Sequence, residues 1–108
     1  MNWIRIASLD NIDADCGLAV RVESKEIALF KLDGEVFATD NICTHQYALL
    51  TDGYLEDGCI ECPLHQGRFD VRTGKAQGEP VTVDIATYPV RVDGSEVYVQ
   101  WPEAGAAS

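Results

Sequence analysis

Apolar residues in this chain fall in short runs broken by polar or glycine-bearing turns. The runs are WIRIAS, LAVRVE, IALFKL, VFAT, CIEC, RFDV, VTVDIATY, VRV and VYVQW. Several alternate apolar with polar, and valine, isoleucine, threonine and aromatics dominate them, which predicts strands. No segment keeps a helical period over about ten residues. SLDNID and QYALL each have room for one helical turn. Asp-Gly pairs stand at Asp33-Gly34, Asp52-Gly53, Asp57-Gly58 and Asp93-Gly94. Asp-Gly suits the type I′ turn, whose two central residues need positive φ. The first and last pairs lie between strand-like runs and predict hairpins. The pattern as a whole predicts an all-β fold, a small sandwich or barrel of antiparallel hairpins.

Trp3, Phe30, Phe37, Phe69, Trp101 and the valines of VYV read as core or sheet-face residues. Arg68 and Asp70 flank Phe69 with strand alternation, so both are expected to point away from the core. No linker, repeat or low-complexity tract divides the 108 residues, and residues 1–108 read as one domain with a fraying tail, EAGAAS.

Composition narrows the partners. The net charge of −10 argues against nucleic acid or an anionic membrane and favours a basic protein surface. No apolar run approaches the ~18–20 residues of a spanning helix. The start, MNWIRIASLDNIDADC, lacks the charged-then-apolar pattern of a signal peptide. A cytoplasmic location is therefore expected, where cysteines at motif spacing suggest metal rather than disulfide. From Leu32 to Gly67 there are seven acids (Asp33, Glu35, Asp40, Asp52, Glu56, Asp57 and Glu61) and no lysine or arginine. A solvated acidic face is the ordinary meaning of such a block. Its place around the residues considered next also suits docking.

Both histidines and three of the four cysteines lie between Cys43 and His65. Cys43 and His45 form Cys-x-His, Cys62 and His65 form Cys-x-x-His, and sixteen residues separate the pairs. Each pair fits one tight loop, the second stiffened by Pro63 and sharpened by Gly67. The strand-like GYLEDGCIEC between them supplies a connecting hairpin. Three readings compete. Buried thiols with satisfied histidines would be the ordinary case for an isolated residue, but two matched pairs holding every histidine argue against it. Structural zinc accepts Cys₂His₂, although its commoner spacing keeps the cysteines together and the histidines together. In the third reading, the cysteines bind one iron of a [2Fe–2S] cluster and the histidines the other. Two opposed loops would supply that interleaved order. Cys16 and Cys59 read as structural thiols, with Cys59 facing the core.

CTH at Cys43–His45 with CPLHQGRFD at Cys62–Asp70 resembles the Rieske [2Fe–2S] motif. The stretches GYLEDGCIECPLHQGRFDVRTGKA and PVTVDIATYPVRVDGSEVYV resemble the ferredoxin components of bacterial aromatic-ring-hydroxylating dioxygenases, so the likeness covers most of the chain. It implies a β-rich fold with the cluster-binding part, about residues 41–70, at one tip. It implies Cys43 and Cys62 on the buried iron and His45 and His65 on the outer one. QGEP at Gln77–Pro80 resembles the proline-bearing loop that covers such clusters. Tyr47, Leu49, Leu50, Leu64 and Pro80 are candidates to shield the centre from water.

With two thiolates and neutral histidines the oxidised cluster carries no net charge, whereas four thiolates would make it a dianion. Adding an electron to a neutral centre is less opposed, in line with the raised potentials of Rieske centres. The Rieske subunits of respiratory and photosynthetic complexes have a disulfide-forming cysteine in each loop, and Ala48 and Leu64 stand at those places here. They also have a serine bonding a cluster sulfur where this chain has Gly67. Lost hydrogen bonds to sulfur and the acidic block disfavour the reduced state, so a potential near the low end, about −150 mV, is expected.

Rieske clusters also occur in oxygenase catalytic subunits, which add a mononuclear iron held by two histidines and a carboxylate. The cluster would use both histidines of this chain and leave none for that iron. There is no Gly-x-Gly-x-x-Gly signature for a dinucleotide. The expectation is a one-electron carrier and not an enzyme, taking electrons from an NAD(P)H-dependent flavoprotein reductase and passing them to a terminal oxygenase. Two alternatives remain, the Rieske small subunit of another soluble system such as nitrite reductase, and a zinc-stabilised binding module.

Overall fold

The computed structural model describes residues 2–43, 48–63, 67–77 and 83–101. Ten strands are described: β1 (Asn2–Ser8), β2 (Leu18–Val22), β3 (Lys25–Leu32), β4 (Glu35–Asp40), β5 (Tyr54–Glu56), β6 (Cys59–Glu61), β7 (Arg68–Asp70), β8 (Thr87–Tyr88), β9 (Val90–Asp93) and β10 (Glu96–Trp101). Among the described residues there is no α-helix. One-turn 3₁₀ helices stand at Leu9–Asn11 and Leu50–Asp52. The first lies within SLDNID. The second takes up the end of QYALL, whose Gln46 and Tyr47 lie outside the described residues. The all-β expectation holds.

The strands form three antiparallel sheets, ordered β1-β10-β9, β2-β3-β4-β8 and β5-β6-β7. The middle sheet is covered on both faces. Ile27 and Leu29 of β3 point into one core with Ala7, Val97, Val99 and Trp101. Ala28 and Phe30, the alternate residues, point into a second core with Ile60, Phe69, Val71 and Ile85. A strand buried on both faces has no polar side to show, which is why IALF is continuous rather than alternating. β10 has a single buried face, and there Val97, Val99 and Trp101 go in while Glu96, Tyr98 and Gln100 stay partly exposed. Trp3 lies on a sheet face, 40% exposed.

Turn chemistry sets the registers. Asp33-Gly34 and Asp57-Gly58 both have positive φ at each residue and lie between paired positions, as type I′ turns require. The last hairpin differs. Asp93 pairs with Glu96, so Gly94-Ser95 forms the loop, with Gly94 at positive φ in the first central position, as in a type II′ turn. Asp52-Gly53 is not a hairpin turn, because it ends the 3₁₀ helix with Gly53 at φ −103. The run VTVDIATY gives a strand at Thr87–Tyr88 and no other among its described residues. Its middle is held otherwise: the Ile85 N–H donates to the Gly74 carbonyl at 2.7 Å, and the Asp84 carboxylate accepts the Ala76 N–H at 2.9 Å.

Candidate metal centre

The second core reaches the end of the molecule where the two cysteine loops begin. Cys43 and Cys62 both lie in it, 4% and 0% exposed, packed with Leu50, Ile60 and Phe69. Cys43 follows β4, the bridge Ile42–Leu49 closes its loop, and its N–H donates to the Ala48 carbonyl at 2.9 Å. Cys62 follows β6, the pair Glu61–Arg68 closes its loop, and its N–H donates to the Gly67 carbonyl at 2.7 Å. In each loop the cysteine N–H thus reaches the carbonyl five residues on, with four residues between. One of those four is a histidine in each case. Gly67 stands at this closure through its backbone.

The two cysteines are therefore brought to one apolar cluster from separate loops. His45 and His65 lie outside the described residues, as do Tyr47, Leu64 and Pro80. Among the described residues no group of three or more metal-ligating side chains gathers. Of the expected shielding residues, Leu50 is wholly buried and Leu49 half-buried. The donor set suits a soft metal. Sulfur from two buried cysteines is favoured by iron–sulfur and zinc chemistry, and a thiolate in an apolar core is costly unless a cation neutralises it.

The surface around the loops is acidic. A groove of about 220 Å³ runs past Cys62, lined by Asp52, Gly53, Tyr54, Glu61 and Pro63. Tyr54 is 69% exposed. The Leu55 N–H donates to the Asp15 carbonyl at 2.8 Å, joining β5 to the turn at Asp13–Gly17. There burial, then the carboxylates of Asp13, Asp15 and Asp52, push the Cys16 thiol up. Arg68 is the first cation after the acidic block, and its guanidinium reaches the Glu56 carbonyl at 3.4 Å.

Cys59 departs from expectation. Ile60 takes the core position of β6, so Cys59 and Glu61 share the opposite, half-exposed side. Burial first pushes its thiol up, Arg68 opposes this, and Asp70 and Asp57 add to it. Cys16 and Cys59 are both free thiols. Arg68 and Asp70 flank buried Phe69 and point away from the core, as expected.

Sequence reasoning missed the support of the first loop. Asn41 is wholly buried, and its side chain makes two hydrogen bonds to Thr51. Nothing in its local pattern marks it as buried. Its place two residues before Cys43 was the one available signal.

The Rieske [2Fe-2S] domain family matches residues 2–89, and the chain belongs to that family. It is 54% identical over 99 residues to the ferredoxin component of naphthalene 1,2-dioxygenase/salicylate 5-hydroxylase systems from a Ralstonia species, covering 92% of this chain and 95% of that one. In fold it matches the Sphingomonas yanoikuyae B1 ferredoxin with a TM-score of 0.88 at 41% identity, covering 94% of this chain and all of that one. It also matches a chain of the complex of reduced oxygenase and oxidized ferredoxin in carbazole 1,9a-dioxygenase, with a TM-score of 0.82 at 33% identity over 90% of this chain and all of that one. A putative nitrite reductase small subunit, at 22% identity, shares the fold.

Proposed function

We propose that this chain is a one-electron carrier, the ferredoxin component of an aromatic-ring dioxygenase system. It holds one [2Fe–2S] cluster, with Cys43 and Cys62 on the inner iron and His45 and His65 on the outer one. It receives electrons from an NAD(P)H-dependent flavoprotein reductase, delivers them to a terminal oxygenase, and is not itself an enzyme. The observation that carries the reading is the matched pair of loops, each closed at its cysteine by the same backbone hydrogen bond and both converging on one apolar cluster. The high identity to a named ferredoxin component supports the partners. The nitrite-reductase alternative rests on a likeness of fold at much lower identity.

The residues supply what a carrier needs. The apolar floor of Leu50, Ile60 and Phe69 excludes water from the cysteine side. The twin backbone closures hold the two cysteines in place before any electron arrives. When bound, the cluster supplies one reversible electron at a potential raised by its histidine ligands. The acidic groove at Asp52 and Glu61, beside Cys62, steers basic partner surfaces toward this end of the molecule. The reading includes a cytoplasmic location and a single domain over residues 1–108. Among the described residues no helix is long and apolar enough to cross a membrane.

Electron paramagnetic resonance before and after dithionite tests the proposal. A signal that appears on reduction, with the low average g of a histidine-ligated pair and a midpoint about −150 mV, is expected. His65→Ala is expected to lose the signal. A colourless protein without iron or sulfide would favour zinc, a midpoint above zero would refute the low-potential assignment, and a normal spectrum in the His65 variant would sink the ligand set.

A further inference from the structure

We propose that Asn41, Thr51 and Gly53 are positioning residues that set the first cysteine loop against the second. The inference rests on the cluster assignment above. The two loop stems are held differently. The second is the open end of a hairpin, a continuation of the β6–β7 ladder. The first has one isolated bridge, Ile42–Leu49, outside the named strands.

Asn41 does the work of the missing ladder. Its N–H donates to the Glu26 carbonyl in β3 at 2.9 Å, and its own carbonyl accepts the Leu50 N–H at 2.8 Å. Its Oδ1 accepts the Thr51 N–H and its Nδ2 donates to Thr51 Oγ1, both at 3.0 Å. One buried residue therefore ties the segment that enters the first loop to the turn that leaves it, and anchors both on the central sheet. The same turn then runs against the second stem. A Cβ on Gly53 would lie 1.8 Å from the Glu61 carbonyl oxygen, so the two backbones approach as closely as glycine permits. Glu61 directly precedes Cys62. The path Asn41, Thr51, Gly53, Glu61 thus runs from one cysteine stem to the other. Removing Thr51 Oγ1 leaves a buried amide donor without its acceptor, which costs the desolvation of that group. Relief comes when the partly exposed side of the turn, residues 51–53, with Leu50 still held in the core, shifts enough to admit water to the amide, which loosens the contact between the two loop stems.

The test compares wild-type holoprotein with Thr51→Val, Thr51→Ser, Gly53→Ala and, in the other core, Val97→Ala. The readouts are the rate at which visible absorption is lost to an excess of iron chelator and the resonance spectrum of the reduced protein. Thr51→Val and Gly53→Ala are expected to lose the cluster about tenfold faster, equivalent to about 1.4 kcal/mol, with shifted g values. Thr51→Ser, which keeps the hydroxyl, is expected to stay within about twofold of wild type on the same scale. Val97→Ala is expected to melt at lower temperature yet to keep the wild-type release rate and spectrum. Wild-type rates in both Thr51→Val and Gly53→Ala would overturn the inference. So would a Val97→Ala rate matching theirs, which would assign the effect to global stability. If Thr51→Val fails to assemble, Gly53→Ala carries the same comparison. A wild-type protein without iron and sulfide would overturn the electron-carrier reading, and this inference with it. A coloured wild type with insensitive variants would overturn this inference and leave that reading standing.

Discussion

Tyr88 has three neighbours that act on its hydroxyl or its ring. The hydroxyl donates to Asp40 Oδ1 at 2.5 Å, Lys25 Nζ lies 3.4 Å from both groups, and the ring stacks on Trp101 with centroids 5.2 Å apart. Burial, and then the Asp40 carboxylate, push the phenol well above its ordinary value. The sign of the linkage follows. A group whose pKa is raised by folding contributes stability that is complete below its unfolded value and is lost as pH rises past it. Stability against urea is therefore expected to fall above about pH 10, the ordinary phenol value, and to fall less steeply in Tyr88→Phe. Parallel slopes in the two proteins would refute this. The same residue scale shows what pattern reading reached. Phe30 and Phe69 read as core residues and are wholly buried. Cys59 was placed on the wrong face because alternation with Glu61 does not say which side of a three-residue strand meets the core.

Elements are set by their turns. Leu32 pairs with Glu35 and Glu56 with Cys59, so Asp-Gly closes both hairpins in the way its chemistry suggests. The β2–β3 hairpin is different. Val22 pairs with Lys25, and Glu23 sits at φ 56 with no glycine to carry it. A non-glycine residue there is strained by roughly 1–2 kcal/mol. Glu23→Gly is accordingly expected to leave stability unchanged or to raise it by up to about 1 kcal/mol, measured by urea denaturation. A loss of more than that would show that the Glu23 side chain contributes something the backbone does not reveal. This hairpin was legible as two strand runs, LAVRVE and IALFKL, while its turn carried no signal. The strand in VTVDIATY was over-read for the opposite reason. Its composition is strand-like, but Asp84 and Ile85 bond to Ala76 and Gly74, and no sheet neighbour takes those groups.

The whole molecule has two cores on either side of one sheet, and the cysteines belong to one of them. Metal removal should divide the protein along that line, because a small domain depends on ligand bonds in the region they cross-link. After chelation, amide protons of β5, β6 and β7 are expected to exchange faster, while those of β1 and β10 keep most of their protection. Hydrogen exchange followed by mass spectrometry would show it, and uniform deprotection would mean that the two cores unfold as one. Charge is also arranged at this scale. Arg5, Arg21, Lys25 and Arg72 each pair with a carboxylate. The stretch from Leu32 to Gly67 holds no lysine or arginine, and of its acids Asp52 and Glu61 line the groove beside Cys62.

By itself the sequence determined the strand-built fold and the Asp-Gly hairpins, and it marked the span from Cys43 to His65 as the candidate place of chemistry. Those features are local: period-two side chains, turn residues with positive φ, and candidate ligands a few positions apart on one loop. Tertiary structure alone decided that β3 is buried on both faces, that Cys59 faces outward, and that Asn41 is a buried clamp. It also decided that Gly53 serves the approach of two backbones rather than a hairpin. Each depends on what lies across from the residue, eight or more positions away along the chain, and packing set by such neighbours leaves no mark in a local pattern.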